Sequence, residues 1–150
     1  MIEKLAICAA ALLTVLPAEA EDQSRQAAKA KPDEQSERLE LLPIELNVIK
    51  YTNDARASRG LPKLEVDPEL MKSARRHAAW MVRNRSLVHT TRPVAENIAM
   101  GQPNSSVAVG AWMNSKGHRA NILNGSYGRI GVAAYRTASG TIYWCQQFRR

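Results

Sequence analysis

The stretch Gly128-Arg129-Ile130-Gly131-Val132-Ala133-Ala134-Tyr135-Arg136-Thr137-Ala138-Ser139-Gly140-Thr141-Ile142-Tyr143-Trp144-Cys145-Gln146-Gln147-Phe148 decides the fold class. Ile130, Val132 and Ala134 alternate with small or aromatic neighbours, a period of two that belongs to strands. Ala138-Ser139-Gly140 supplies a turn. Thr141 to Phe148, rich in aromatic and β-branched residues, is the returning strand of a hairpin.

Upstream of this hairpin the period is helical. Leu41, Ile44, Val48, Tyr51 and Ala55 recur at spacings of three and four and predict a helix from about Pro43 to Arg59. Pro43 suits its first turn, Gly60 its left-handed exit, and Pro62 blocks continuation. Asp67-Pro68-Glu69 opens a second helix: Asp67 can cap, and Glu69 sits at the positive helix end. Its apolar face is Leu70, Ala74, Ala78 and Met81, extending to Val82. After Asn84 the pattern dissolves into loop until about Asn97. Asn104-Ser105-Ser106 can cap a third helix, Val107 to Ser115, which Gly117 breaks before a short helical turn from Arg119 to Leu123. Helices come first and strands last, so the class is α+β.

The chain of 150 residues has room for one domain and a tail. Leu5 to Leu16 is an apolar run interrupted only by Thr14, ended by Pro17 and followed by the small-x-small sequence Ala18-Glu19-Ala20. At 12 residues it is shorter than the roughly 20 that span a bilayer, and it reads as a signal peptide over residues 1–20. The expected location is therefore exported, periplasmic or extracellular, with no transmembrane segment once the leader is removed. Residues 21–42, polar and centred on Pro32, read as a flexible linker, and residues 43–150 as the domain. Removal of the leader removes Cys8 and leaves Cys145 as the sole thiol, so no internal disulfide is expected.

Charge is uneven. From Met71 onward there are 12 basic residues and one acidic residue, Glu96. Such a half favours anionic partners such as envelope polymers or lipids, although a solvated surface has the same composition. Nucleic acid is not expected, because the cations do not alternate with aromatics and no recognition-helix pattern is present.

Three histidines remain beyond the leader. His77 follows Leu70 by seven residues, on the second helix's apolar face, and reads as a core residue satisfied by a backbone carbonyl rather than as a ligand. His89 and His118 fall outside any apolar stripe, at a loop and a helix break, where function concentrates. Glu96 lies between them. Two imidazoles and a carboxylate are the donors of a catalytic zinc site with one position left to water. A structural ion pair or cap explains Glu96 equally, and the spacings match no local metal motif.

Several segments together resemble the CAP (SCP-like) superfamily in its short bacterial form. They are Asn53-Asp54-Ala55-Arg56 with Gly60-Leu61-Pro62, Ala95-Glu96-Asn97-Ile98-Ala99, Trp112 through Leu123, Gly131-Val132-Ala133, and Tyr143 through Phe148. The resemblance implies an α-β-α sandwich with helices flanking a small antiparallel sheet, and a cleft lined by histidines and acids. By motif, His89, Glu96 and His118 match the family's cleft histidines and first cleft glutamate; they are the candidate ligands for zinc or another divalent metal, and Asn97, Asn114 and Ser115 are expected to line the cleft. Many members carry a second glutamate just after the third helix's tryptophan; Asn114-Ser115 stands there instead. The resemblance therefore implies a secreted, non-catalytic binding module. The alternative is a metal-dependent hydrolase of cell-wall or peptide substrates with Glu96 as general base.

Overall fold

The computed structural model describes residues 39–150; the leader and most of the linker read from the sequence lie outside them. The elements, in chain order, are α1 (Pro43–Ala57), β1 (Glu65–Val66), α2 (Pro68–Asn84), β2 (Ala95–Met100), α3 (Ser105–Asn114), α4 (Lys116–Ile122), β3 (Arg129–Arg136) and β4 (Ile142–Arg149). The strands form one sheet in the order β1-β3-β4-β2. β4 pairs antiparallel with both β2 and β3, with Ile98 opposite Cys145 and Cys145 opposite Ala133.

Alternation along the strands separates two cores. Ala133, Tyr143, Cys145 and Ile98 pack with Ala74, Ala78 and Met81 of α2. Ile130, Val132, Trp144 and Phe148 pack with Val48 of α1, Val109 and Trp112 of α3, and Ile122 of α4. The result is an α-β-α sandwich. At Gly131 the fit is backbone to backbone: a Cβ there meets the Leu70 carbonyl carbon at 2.2 Å.

The helix ends follow the sequence signals. Asp67 accepts from the Leu70 amide at 2.9 Å, and Asn104 from the Val107 amide at 3.0 Å. Arg85 closes α2 in the left-handed region at φ 49°. Among the described residues, no helix is long and apolar enough to cross a membrane.

Four expectations need correction. The sheet is mixed rather than antiparallel, because β1 runs parallel to β3 with Glu65 opposite Arg129. Residues 95–100, expected as loop up to about Asn97, form the edge strand β2. Its apolar signal is weak because Glu96 and Asn97 each satisfy polar groups instead of filling a hydrophobic layer. Gly117 does not break a helix but lies inside α4; the break is at Ser115, whose ψ of 125° is extended. The packed part of the chain also starts before Pro43, since Leu39 and Leu41 lie against the core.

Candidate functional site

The site forms at the β2 edge, and a buried polar chain places its parts. Thr52 of α1 accepts from the Gln146 amide at 2.7 Å, and Gln146 accepts from Asn97 at 3.1 Å. Asn97 also donates to the His118 carbonyl at 3.1 Å, and its own oxygen accepts from Asn121 at 2.9 Å. Asn121 reaches the Glu96 carbonyl as well, at 3.2 Å. These bonds tie α1, β4, β2 and α4 together across otherwise apolar packing, where each group would be costly to bury alone. Asn97 is fully buried, so it positions α4 rather than lining an open cleft. Arg56, also fully buried, fixes the far end of α4 by donating to the carbonyls of Pro62, Ile122, Asn124 and Tyr127. Burial lowers its pKa from the ordinary value.

On the α2 side of β2, four donors converge on Glu96. Oε1 accepts from His89 Nδ1 and from the Thr90 amide, each at 2.9 Å. Oε2 accepts from Gln147 Nε2 at 2.8 Å and from the Cys145 thiol at 3.5 Å. The Glu96 side chain is 3% exposed and that of His89 is 60% exposed. A carboxylate in its acceptor-only form suits this shell. With Nδ1–H given to Glu96, His89 carries its free lone pair on Nε2, the atom that is not tied down.

His77 belongs to the same cluster. Its Nε2–H donates to the Val88 carbonyl at 2.9 Å, the backbone partner expected from the sequence. The same nitrogen lies 3.7 Å from Glu96 Oε1, and the ring lines a hollow of about 370 Å³ with Trp80, Val88, His89, Thr90 and Thr91. His118, half-buried on α4, has its pKa lowered first by burial and then by the nearby charge of His89. That shift favours the neutral His118 imidazole, the form that ligates a metal.

His89 and Glu96 meet directly, whereas His118 is tied to the same edge through its backbone carbonyl, which Asn97 holds, and its ring is near enough to His89 to feel that charge. Both Glu96 oxygens are committed to protein donors, so its geometry is that of a carboxylate orienting a histidine rather than of a free ligand. Among the described residues, no group of three or more His, Cys, Asp or Glu side chains gathers as a metal cage. Asn114 ends α3 on the surface and Ser115 is the joint before α4; neither hydrogen-bonds to Glu96 or to an imidazole ring. Sequence reasoning did not assign Thr90, Gln147 or Cys145 to this shell. The signal for Gln147 was present: two adjacent glutamines in an apolar central strand must each find a partner on opposite faces. Burial, and after it the Glu96 charge, pushes the Cys145 thiol well up.

A three-layer α-β-α sandwich of this topology, with His89 held by a buried glutamate at the sheet edge, is the architecture of SCP-type domains. Residues 49–148 match the model of CAP, the cysteine-rich secretory protein family, and the chain belongs to that family. The chain is 37% identical over 121 residues to the Bacillus subtilis protein YkwD, covering 69% of this chain and 46% of that protein. It is similar in fold to an extracellular SCP-domain protein from Bacillus anthracis, with TM-score 0.63 and 24% identity over 74% of this chain and 45% of the other. The structure of NaASP2 with Zn2+ shares the fold at TM-score 0.56 and 15% identity, covering 70% of this chain and 78% of that one. The chain spans less than half the length of YkwD and of the Bacillus anthracis protein.

Proposed function

We propose that this protein is an exported, non-catalytic binding module whose His89–His118 pair takes a divalent cation, zinc foremost, and so organises an envelope or extracellular ligand. The observation that carries this reading is the complete shell of donors around Glu96. A general base needs a lone pair facing substrate or water. Every short contact to Glu96 is instead a protein donor, and the contact to His89 selects the tautomer that leaves Nε2 for a metal.

The donor set fits a divalent ion in part. His89 and His118 supply two imidazoles, Glu96 supplies orientation, and the remaining positions fall to water or ligand oxygen. A bound ion supplies Lewis acidity and a fixed positive charge. The protein's own residues supply the imidazole rings, the orientation of His89, and a net positive charge that draws anionic partners. Zinc in the NaASP2 structure and the extracellular neighbour support the reading by analogy of fold. The apolar run ending at Ala18-Glu19-Ala20 supports export.

Isothermal titration with zinc near neutral pH tests this. Wild type binds; His89→Ala and His118→Ala each abolish uptake. Glu96→Gln weakens it roughly 10- to 100-fold, the usual effect of losing a carboxylate that orients a ligating histidine. Wild type that takes up no zinc ends the metal reading. Turnover of peptidoglycan, esters or peptides by the zinc-loaded protein ends the non-catalytic reading.

A further inference from the structure

Among the described residues, one face of α2 is left uncovered, and its composition is unusual. Lys72, Arg76, Trp80 and Arg83 are exposed at spacings of four, four and three, so they form one stripe about 16 Å long. Trp80 is 39% exposed, whereas Trp112 and Trp144 are at most 1% exposed. The His77 ring stacks against Trp80 with centroids 6.0 Å apart and planes 7° apart. Val88 shares the hollow with Trp80, and Leu87 and Val88 are 42% and 45% exposed. An indole and a branched aliphatic therefore stand together outside the core, with the exposed Leu87 next along the chain.

The unpaired charges of this stripe are all cationic. Lys72 pairs with the exposed Glu69 at 3.5 Å; Arg76 and Arg83 enter no ion pair among the described residues. From Met71 to the end of the sequence the only acid is Glu96, which is buried.

We infer that the α2 face carrying Arg76, Trp80 and Arg83, with Leu87 and Val88 of the segment that follows it, docks on an anionic phospholipid surface. Exposed guanidinium groups answer lipid phosphate, an indole suits the headgroup boundary, and short aliphatics reach the first acyl carbons. The aliphatic pair favours a bilayer over an anionic glycan, which a tryptophan with polar neighbours would serve better. This inference deepens the binding-module reading by naming the surface, and it does not depend on the metal.

The test uses the full chain, vesicles with roughly one-third phosphatidylglycerol in phosphatidylcholine, and pure phosphatidylcholine vesicles, all with chelator present so that zinc plays no part. Any contribution from residues 1–20 is common to all variants and cancels in the comparison. Anionic vesicles bind the wild type and neutral ones bind it more weakly. Arg76→Gln with Arg83→Gln lowers partitioning about 30-fold, and Trp80→Ala lowers it about tenfold. Brominated lipids quench wild-type tryptophan emission but leave that of the Trp80→Ala variant unchanged, because only Trp80 reaches the surface. Equal binding to both vesicle types, binding unaffected by the paired arginine substitution, lipid quenching that survives Trp80→Ala, or retention on an anionic glycan without vesicle binding overturns the proposal. Failure here leaves the zinc titration untouched, so the two readings fall separately.

Discussion

Arg56→Met is the substitution whose effect the structure defines most fully. The side chain is fully buried, and its guanidinium donates to four backbone carbonyls at 2.8 to 3.2 Å, all belonging to the segments 62 and 122–127. Among the described residues, no carboxylate hydrogen-bonds to it. Methionine keeps much of the volume and removes every donor. Each buried carbonyl stripped of a donor costs about 1–3 kcal/mol. Water entering the loosened loop recovers part of this, and the desolvation cost of the guanidinium disappears with it. Taking about 1 kcal/mol for each of the four acceptors gives a loss of about 4 kcal/mol, a large share of the roughly 5–15 kcal/mol that holds a domain folded. Arg56→Lys, with a single ammonium unable to span four acceptors, loses less than Met but more than half as much. Urea unfolding followed by emission of the buried Trp112 and Trp144 measures both variants. Hydrogen exchange in the Met variant accelerates first across residues 119–127, the part of the chain that steadies His118. A loss below about 1 kcal/mol for Arg56→Met, or uniform acceleration across the sheet, refutes the argument.

Three further outcomes follow from single contacts. Burial disfavours ionisation of Asp67, but the Leu70 amide and the Arg149 guanidinium outweigh it and hold the Asp67 pKa below its ordinary value. Its stabilisation is therefore complete above the unfolded pKa of about 3.9 and is lost as pH falls through the lower folded pKa. Asp67→Asn is accordingly less stable than wild type at pH 7 in urea melts, and the difference vanishes in stronger acid. Gly131→Ala puts a Cβ 2.2 Å from the Leu70 carbonyl carbon and 2.4 Å from its oxygen, both backbone atoms; thermal melting shows a loss above about 4 kcal/mol or no folded protein. Cys145, fully buried with its thiol pKa raised, resists iodoacetamide in the native protein and reacts once urea unfolds it, as mass spectrometry can follow.

The hairpin and the first two helices were legible because their signals are local. Asp67-Pro68 and Asn104 announce helix starts by side-chain chemistry, and the alternation from Ile130 to Ala134 survives in the structure as the pattern of two cores. β2 was not legible, since Glu96 and Asn97 break its apolar alternation, and every side-chain partner of Asn97 and both partners of Glu96 Oε2 lie 21 to 51 positions away. β1 is two residues long and exists only because β3 runs beside it. The site was half legible. His89 and His118 stood out by falling off the apolar stripes, and Glu96 by being alone among cations. That Glu96 orients rather than binds depends on Thr90, Cys145 and Gln147, whose convergence no spacing reveals. His77 was read correctly as carbonyl-bonded, yet its position beside Glu96 arises from the packing of α2 against the edge strand.

The orientation of His89 depends on the Nδ1–H hydrogen bond it donates to Glu96, and the three histidines can be observed directly by long-range proton–nitrogen NMR of their rings, recorded before and after zinc is added. The expected spectrum has His89 protonated at Nδ1 with Nε2 bare, and zinc shifts His89 and His118 together while His77, held by the Val88 carbonyl, stays in place. His89 protonated at Nε2, or zinc that leaves both His89 and His118 unmoved, contradicts it.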